Sequence, residues 1–141
     1  MLSKSGPGAT YSHVGFIGLG VMGRPMALNT INATPAGSVV IHDRKRERVE
    51  DLLNASAVWA ETPRELAELS DIIILMLPDL PQVEQVLAGP DGLTAGIKKP
   101  TTIVISSTSS ATGIRELAIR LEAETIGLAH VVDAPVSGGE E

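Results

Sequence analysis

Short apolar runs recur along the chain, and stretches with helical spacing separate them. Val14-Gly15-Phe16-Ile17-Gly18 predicts a short buried strand, and residues 21–32 a helix. Residues 38–42 predict a second strand and 45–53 a second helix, with a weak strand at 57–59. Thr62-Pro63-Arg64-Glu65 starts a helix to about Leu69: Thr62 as cap, Pro63 in the first position, Glu65 at capping-box spacing. Ile72 to Leu77 are all apolar, so this strand is buried on both faces and belongs inside a covered parallel sheet. Pro78 ends it, residues 80–87 read as a helix, and Gly89-Pro90-Asp91-Gly92 as a turn. A strand at 102–106, a helix at 110–124 and a strand at 128–133 follow. In the last helix Ile114, Leu117, Ala118 and Leu121 share one face. Strand and helix alternate throughout, which predicts an α/β domain: a doubly wound, mostly parallel sheet with helices on both faces.

Composition narrows the possible partners. The chain has 141 residues, one domain's worth, and 43% of them are hydrophobic. A net charge of −6 disfavours nucleic acid and anionic membranes, and Tyr11, Phe16 and Trp59 are the only aromatics for base stacking. Four of the eleven basic residues cluster between Arg44 and Arg48, either as a solvated helix start or as a local anion contact. There is no cysteine, so disulfides and thiolate sites are excluded, and a cytoplasmic origin fits. His13, His42 and His130 lack metal-ligand spacing, and no metal is expected. No apolar run is long enough to cross a bilayer, and residues 1–13 read as a flexible tail rather than a signal peptide.

The candidate chemistry begins at Gly18-Leu19-Gly20-Val21-Met22-Gly23. A G-x-G-x-x-G run is weak by itself, but this one follows a predicted strand and opens a predicted helix. Gly18 permits the turn, Gly20 leaves room for a pyrophosphate against the backbone, and Gly23 lets the helix pack closely. The helix N-terminus offers free N–H groups and the positive end of its dipole. Asp43 lies about twenty residues past Gly23, where a carboxylate accepts from the adenosine ribose hydroxyls. That favours NAD. Arg44 follows at once and can pair with a 2′-phosphate, so NADP stays open. Met76, Leu77 and Pro78 end the central strand and should face the cofactor. Asp79 reads as a helix cap rather than an acid. The run Ser106 to Ser110 offers hydroxyls to a nicotinamide or a substrate carboxylate, with Thr108 preferred. Ser137-Gly138-Gly139, past the last strand, reads as an anion-binding turn or as a plain loop.

Together these motifs resemble the β-hydroxyacid dehydrogenase family, which includes 3-hydroxyisobutyrate dehydrogenase. The stretches that carry the resemblance are GFIGLGVMGRPMALN (15–29), MLPDLPQVEQVLAGPDGL (76–93), ISSTSSAT (105–112) and DAPVSGG (133–139). The resemblance implies a Rossmann-type dinucleotide-binding domain over residues 14–141. It also implies reversible NAD(P)-dependent oxidation of a small 3-hydroxy acid to a semialdehyde or keto acid. Thr108, Ser137, Gly138 and Gly139 would then hold the substrate near the nicotinamide.

The family's acid/base lysine, with an asparagine one helical turn on, sits on a helix following the region matched here. Lys98 and Lys99 do not match it, so no catalytic residue is expected in this chain. The expectation is the cofactor half of a longer enzyme, inactive alone, without the all-helical catalytic and dimerisation domain. Apolar surface exposed by that absence would favour homo-oligomers. Glu140-Glu141 after Ser-Gly-Gly also resembles 6-phosphogluconate dehydrogenase, which is one alternative; a non-catalytic NAD(P)-binding module is another. The compartment expected is the cytoplasm, or the mitochondrial matrix in a eukaryote.

Overall fold

The computed structural model describes residues 12–106 and 111–134. Its strands are β1 (Val14–Ile17), β2 (Val39–His42), β3 (Val58–Trp59), β4 (Ile72–Leu75), β5 (Thr101–Ile105) and β6 (Ala129–Asp133). Its helices are α1 (Gly23–Ala33), α2 (Glu50–Asn54), α3 (Pro63–Leu69), α4 (Leu80–Leu87), α5 (Leu93–Gly96) and α6 (Ala111–Glu124). The strands form one sheet in the order β3-β2-β1-β4-β5-β6, and every pairing is parallel. The doubly wound sheet expected from the alternation is the one observed.

The period of two along each strand divides the core into two layers. Phe16, Val39 and Ile41 face α1 and α2, in a cluster with Ala27, Ile31 and Leu52. Their neighbours Ile17 and Val40 face the other way, with Ile73, Leu75, Ile103 and Ile105. Leu66 of α3, Val83 of α4, Leu93 of α5 and Leu117 of α6 cover that second layer. Both faces of the central strands are therefore filled, which is why their sequence is apolar without alternation.

Local signals set several boundaries as expected. The Thr62 hydroxyl accepts from the Glu65 amide at 3.1 Å. Glu65 Oε1 in turn accepts from the Glu61 amide, one residue before the cap, at 2.7 Å. Asp79 accepts from the Gln82 amide at 3.0 Å and caps α4, so it is a cap, as its position suggested.

Three expectations are corrected. The helix expected over 45–53 is a 3₁₀ turn, Arg46–Val49, followed by the short α2. The Arg48 amide closes this turn on the Lys45 carbonyl at 3.1 Å, and the Arg48 carbonyl accepts from Arg24 Nη2, which ties the turn to α1. Helix α5 was not anticipated: four residues carry no period. Gly96 lets it sit on α3, where a Cβ would lie 2.2 Å from the Arg64 carbonyl oxygen. His13, assigned to the tail, is bound to the sheet. Its amide donates to Asp71 Oδ2 at 3.0 Å, and its carbonyl accepts from the Asp71 amide at 2.8 Å.

Strand β4 is also shorter than the apolar run, ending at Leu75. Among the described residues no helix is long and apolar enough to cross a membrane.

Candidate functional site

The direction in which successive strands are added to the sheet reverses between β1 and β4. From β1 the chain builds outward through β2 and β3, then crosses back to place β4 on the other side of β1. The loops leaving β1 and β4 diverge there and open a crevice at the carboxyl ends of the strands. A cleft of about 440 Å³ occupies this position. Gly18, Gly20, Asp43, Arg44, Met76, Leu77 and Pro78 all line it. Residues far apart in the chain, each singled out for a separate reason, thus share one wall.

The three glycines of the loop have different surroundings. Gly18 has φ +99°, and a Cβ there would meet the Met76 carbonyl oxygen at 2.4 Å. A Cβ on Gly23 would lie 1.8 Å from the Gly18 carbonyl oxygen. Both glycines are therefore required by the fold of the loop itself. Gly20 is the opposite case. No protein atom lies within 4 Å of the Cβ it would carry, and it faces the cleft. The space beside its backbone is open to a ligand.

Helix α1 begins behind this loop with no acidic residue in its first turn, so its positive end has no local counter-charge. Of the other loop residues, Leu19 is buried at 6% exposure and packs with Phe16 in the core. Its side chain serves the fold, and its backbone alone is available to a ligand. Val21 projects into solvent at 82% exposure.

Asp43 follows β2, whose last residue, His42, is in register with Ile17 of β1. The carboxylate therefore stands beside the glycine loop. Its Oδ2 accepts from the Lys45 amide at 3.4 Å, a weak local turn contact that leaves the group available. The 44–48 segment is clamped to the start of α1. Arg24 Nη1 donates to both carboxylate oxygens of Asp51, at 2.7 and 2.9 Å, while Nη2 donates to the Arg48 carbonyl. The hydrogen bond from Arg24 holds the Asp51 carboxyl below its ordinary value.

His42, Arg48, Gln82, Gln85 and Val86 also line the cleft and were not anticipated. Gln82, Gln85 and Val86 share one face of α4, beside the buried Val83 and Leu87, and Val86 packs partly against that core. Their i, i+3, i+4 spacing was a legible signal. His42 was anchored only by tertiary contact: Nδ1 lies 2.9 Å from the Ala60 carbonyl oxygen, which makes Nδ1 the protonated nitrogen.

Thr108, Ser137, Gly138 and Gly139 lie outside the described residues. Lys98 and Lys99 sit at the other end of the sheet, before β5. Among the described residues no cluster of side chains could hold a metal ion.

The arrangement fits a dinucleotide. It offers a backbone cradle open at Gly20, an uncompensated helix end, an available carboxylate past β2, and an apolar wall of Ile17, Met76, Leu77, Pro78 and Val86.

Comparison with known proteins agrees. Residues 13–141 match the family model described as the NAD binding domain of 6-phosphogluconate dehydrogenase. The chain is 43% identical over 133 residues to 2-hydroxy-3-oxopropionate reductase of Escherichia coli (strain K12), covering 90% of this chain and 41% of that protein. It is 37% identical over 131 residues to mitochondrial 3-hydroxyisobutyrate dehydrogenase of Mus musculus, covering 93% of this chain and 38% of that one. Among solved structures it superimposes on Mycobacterium tuberculosis 3-hydroxyisobutyrate dehydrogenase with a TM-score of 0.77 at 28% identity, covering 92% of this chain and 42% of the other. The chain spans about 40% of the length of these relatives. It belongs to the family of NAD-binding domains typified by 6-phosphogluconate dehydrogenase, and its relatives are β-hydroxyacid dehydrogenases.

Proposed function

We propose that this domain holds NAD(P) for hydride transfer to and from the hydroxyl-bearing carbon of a small 3-hydroxy acid, within a longer oxidoreductase. The observation that carries the reading is the joint position of Gly20 and Asp43 on one cleft at the reversal point of the sheet. The backbone of Gly18 to Gly23 would hold the pyrophosphate, through N–H groups at the head of α1. Asp43 would accept from ribose hydroxyls, with Arg44 beside it. Met76, Leu77 and Pro78 would form the apolar wall along the middle of the cofactor. When bound, the nicotinamide supplies the hydride chemistry. The chain's own residues bind and orient it and exclude water.

Thr108 and the Ser137-Gly138-Gly139 turn are the proposed contacts for the substrate carboxylate. The acid/base is proposed to be a lysine on a second, helical domain, as the resemblance to the β-hydroxyacid dehydrogenases implies. Self-association through apolar surface belongs to the same proposal. A chain without cysteine suits a reducing compartment, the cytoplasm or a mitochondrial matrix.

Calorimetric titration of the chain with NADH tests the reading. Saturable binding is expected, and Gly20→Ala should weaken it by at least about tenfold without lowering thermal stability. A wild-type chain that binds no dinucleotide would overturn it.

A further inference from the structure

Helix α6 has one face that packs and one that meets only solvent. Ile114, Leu117 and Leu121 are buried in the core layer. Ile119 stands opposite them and is 70% exposed. Its neighbours one turn away on the same face, Arg115, Glu116, Glu122 and Ala123, are exposed as well. Arg115 and Glu122 have no ion-pair partner among the described residues, whereas Arg120 on the flank is engaged by Glu84 and Glu124. Arg115 reaches only the Thr112 hydroxyl of its own helix, at 3.4 Å.

The end of the helix carries a second anomaly. The Gly127 amide donates to the Glu122 carbonyl at 2.8 Å, and the Ile126 amide to the Ala123 carbonyl at 3.3 Å. This is the Schellman arrangement, whose left-handed position is usually a glycine. Here it is Ile126, with φ +55° and 89% exposure. A β-branched residue is costly in that conformation, and an apolar side chain left in water returns nothing for it. Ile126 lies about two helical turns beyond Ile119.

The face is complementary to itself. Two α6 helices can pair antiparallel about a two-fold axis level with the midpoint between Ala118 and Ile119. The two copies of Ile119 then meet. Arg115 and Glu122 lie equally far from that axis and on the same flank, so each guanidinium meets the other copy's carboxylate. Ile126 falls level with the small residues Ala111 and Thr112 at the start of the other helix. A patch that matches itself in this way is what a two-fold interface requires.

We propose that the outer face of α6 is an interface with a second copy of this chain. Ile119 and Ile126 are its apolar anchors, and the Arg115–Glu122 pair sets its direction. The inference rests on the self-association reading above and on nothing in the dinucleotide cleft. One helix pair buries less than a standard interface, so the dimer is weak.

Sedimentation velocity of the full 141-residue chain, from about 10 µM to about 1 mM, tests it. A monomer–dimer equilibrium is expected, with a dissociation constant below about 1 mM. Ile119→Arg should remove the dimer across that range. Arg115→Glu should weaken it by at least about fivefold, because two repulsive pairs replace two attractive ones. Adding Glu122→Arg to that variant should restore the wild-type constant to within about twofold. Ile126→Gly should raise the melting temperature of the dilute chain by about 2 °C or more while weakening the dimer. Circular dichroism verifies that each variant is folded.

A chain that stays monomeric to about 1 mM would overturn the interface and the self-association reading together. A dimer that Ile119→Arg leaves intact would overturn the interface alone. So would a charge swap that fails to restore what Arg115→Glu removed, or an Ile126→Gly chain that melts lower, since Ile126 would then serve the fold. Titration of the same chain with NADH decides the dinucleotide reading separately.

Discussion

At the amino ends of the strands, charged side chains are matched to partners, while the buried Ser70 hydroxyl has none among the described residues. Lys99 Nζ lies 2.8 Å from the Ser70 carbonyl oxygen, 3.2 Å from that of Glu68 and 3.4 Å from that of Ala67. It thereby closes the C-terminus of α3, where a cation meets the negative end of the helix. Lys98 and Arg64 both reach Glu68, and His13 and Asp71 bond each other. At the carboxyl ends the pattern is reversed. Gly20 has empty space where a side chain would be, α1 has no acidic residue in its first turn, and Arg44 and Arg48 lack acidic partners among the described residues. The same sheet therefore has one end whose charges serve the fold and another where Asp43, Arg44 and Arg48 line an open cleft. A lysine at the wrong end of the sheet is explained by a helix it caps, and needs no role in catalysis.

The glycine loop is where the comparison can be broken most sharply. Gly23→Ala should cost about 3 kcal/mol or more, because its Cβ would overlap the Gly18 carbonyl and the backbone must shift. Denaturant unfolding measures that cost, and dinucleotide binding should be lost with it. Gly20→Ala should leave stability within about 0.5 kcal/mol of wild type while affinity falls. Equal destabilisation by the two substitutions would mean that Gly20, too, is a structural glycine.

Lys99→Met probes the other end. It removes three carbonyl contacts and the helix-end charge, so a loss of about 1–2 kcal/mol is expected in urea unfolding. Titration with NADH should give an unchanged dissociation constant. Weakened binding would show that the two ends are coupled.

The smallest effects lie in acid. Glu68 is held below its ordinary value of 4.5, first by the hydrogen bond from Lys98 and then by that from Arg64; Asp51 is held below 3.8 by Arg24. A depressed carboxyl contributes stability that is fully present above its unfolded value and fades as pH falls through the folded one. Asp51→Asn and Glu68→Gln should therefore differ from wild type at neutral pH, and the difference should shrink below about pH 4. Both pairs are at the surface, so salt should also reduce it. A difference that grows on acidification would contradict this assignment.

Much of the molecule was legible before its structure, because the signals are local. Apolar runs define strands, Thr62 and Asp79 start their helices with their own side chains, and the glycine spacing after a strand marks the turn. Asp43 and the 76–78 segment could be placed on the cleft because parallel strands in register bring their carboxyl ends level. The order of the elements and the location of the site were thus determined by residues acting on near neighbours, together with a topology that chirality restricts.

What only the tertiary structure decided depends on contacts across long stretches of chain. Arg24, 24 residues away, bonds the Arg48 carbonyl in the 3₁₀ turn that stands where a helix was expected. Packing on α3 makes a helix of Leu93–Gly96, which has no pattern of its own. Among three glycines equivalent in the motif, distance to the Gly18 and Met76 carbonyls separates two that build the loop from one that faces the cleft. Which of the clustered arginines is engaged and which faces the cleft is likewise a matter of partners. A charge in a sequence has no partner until the chain closes, and the folded geometry assigns it one or leaves it free.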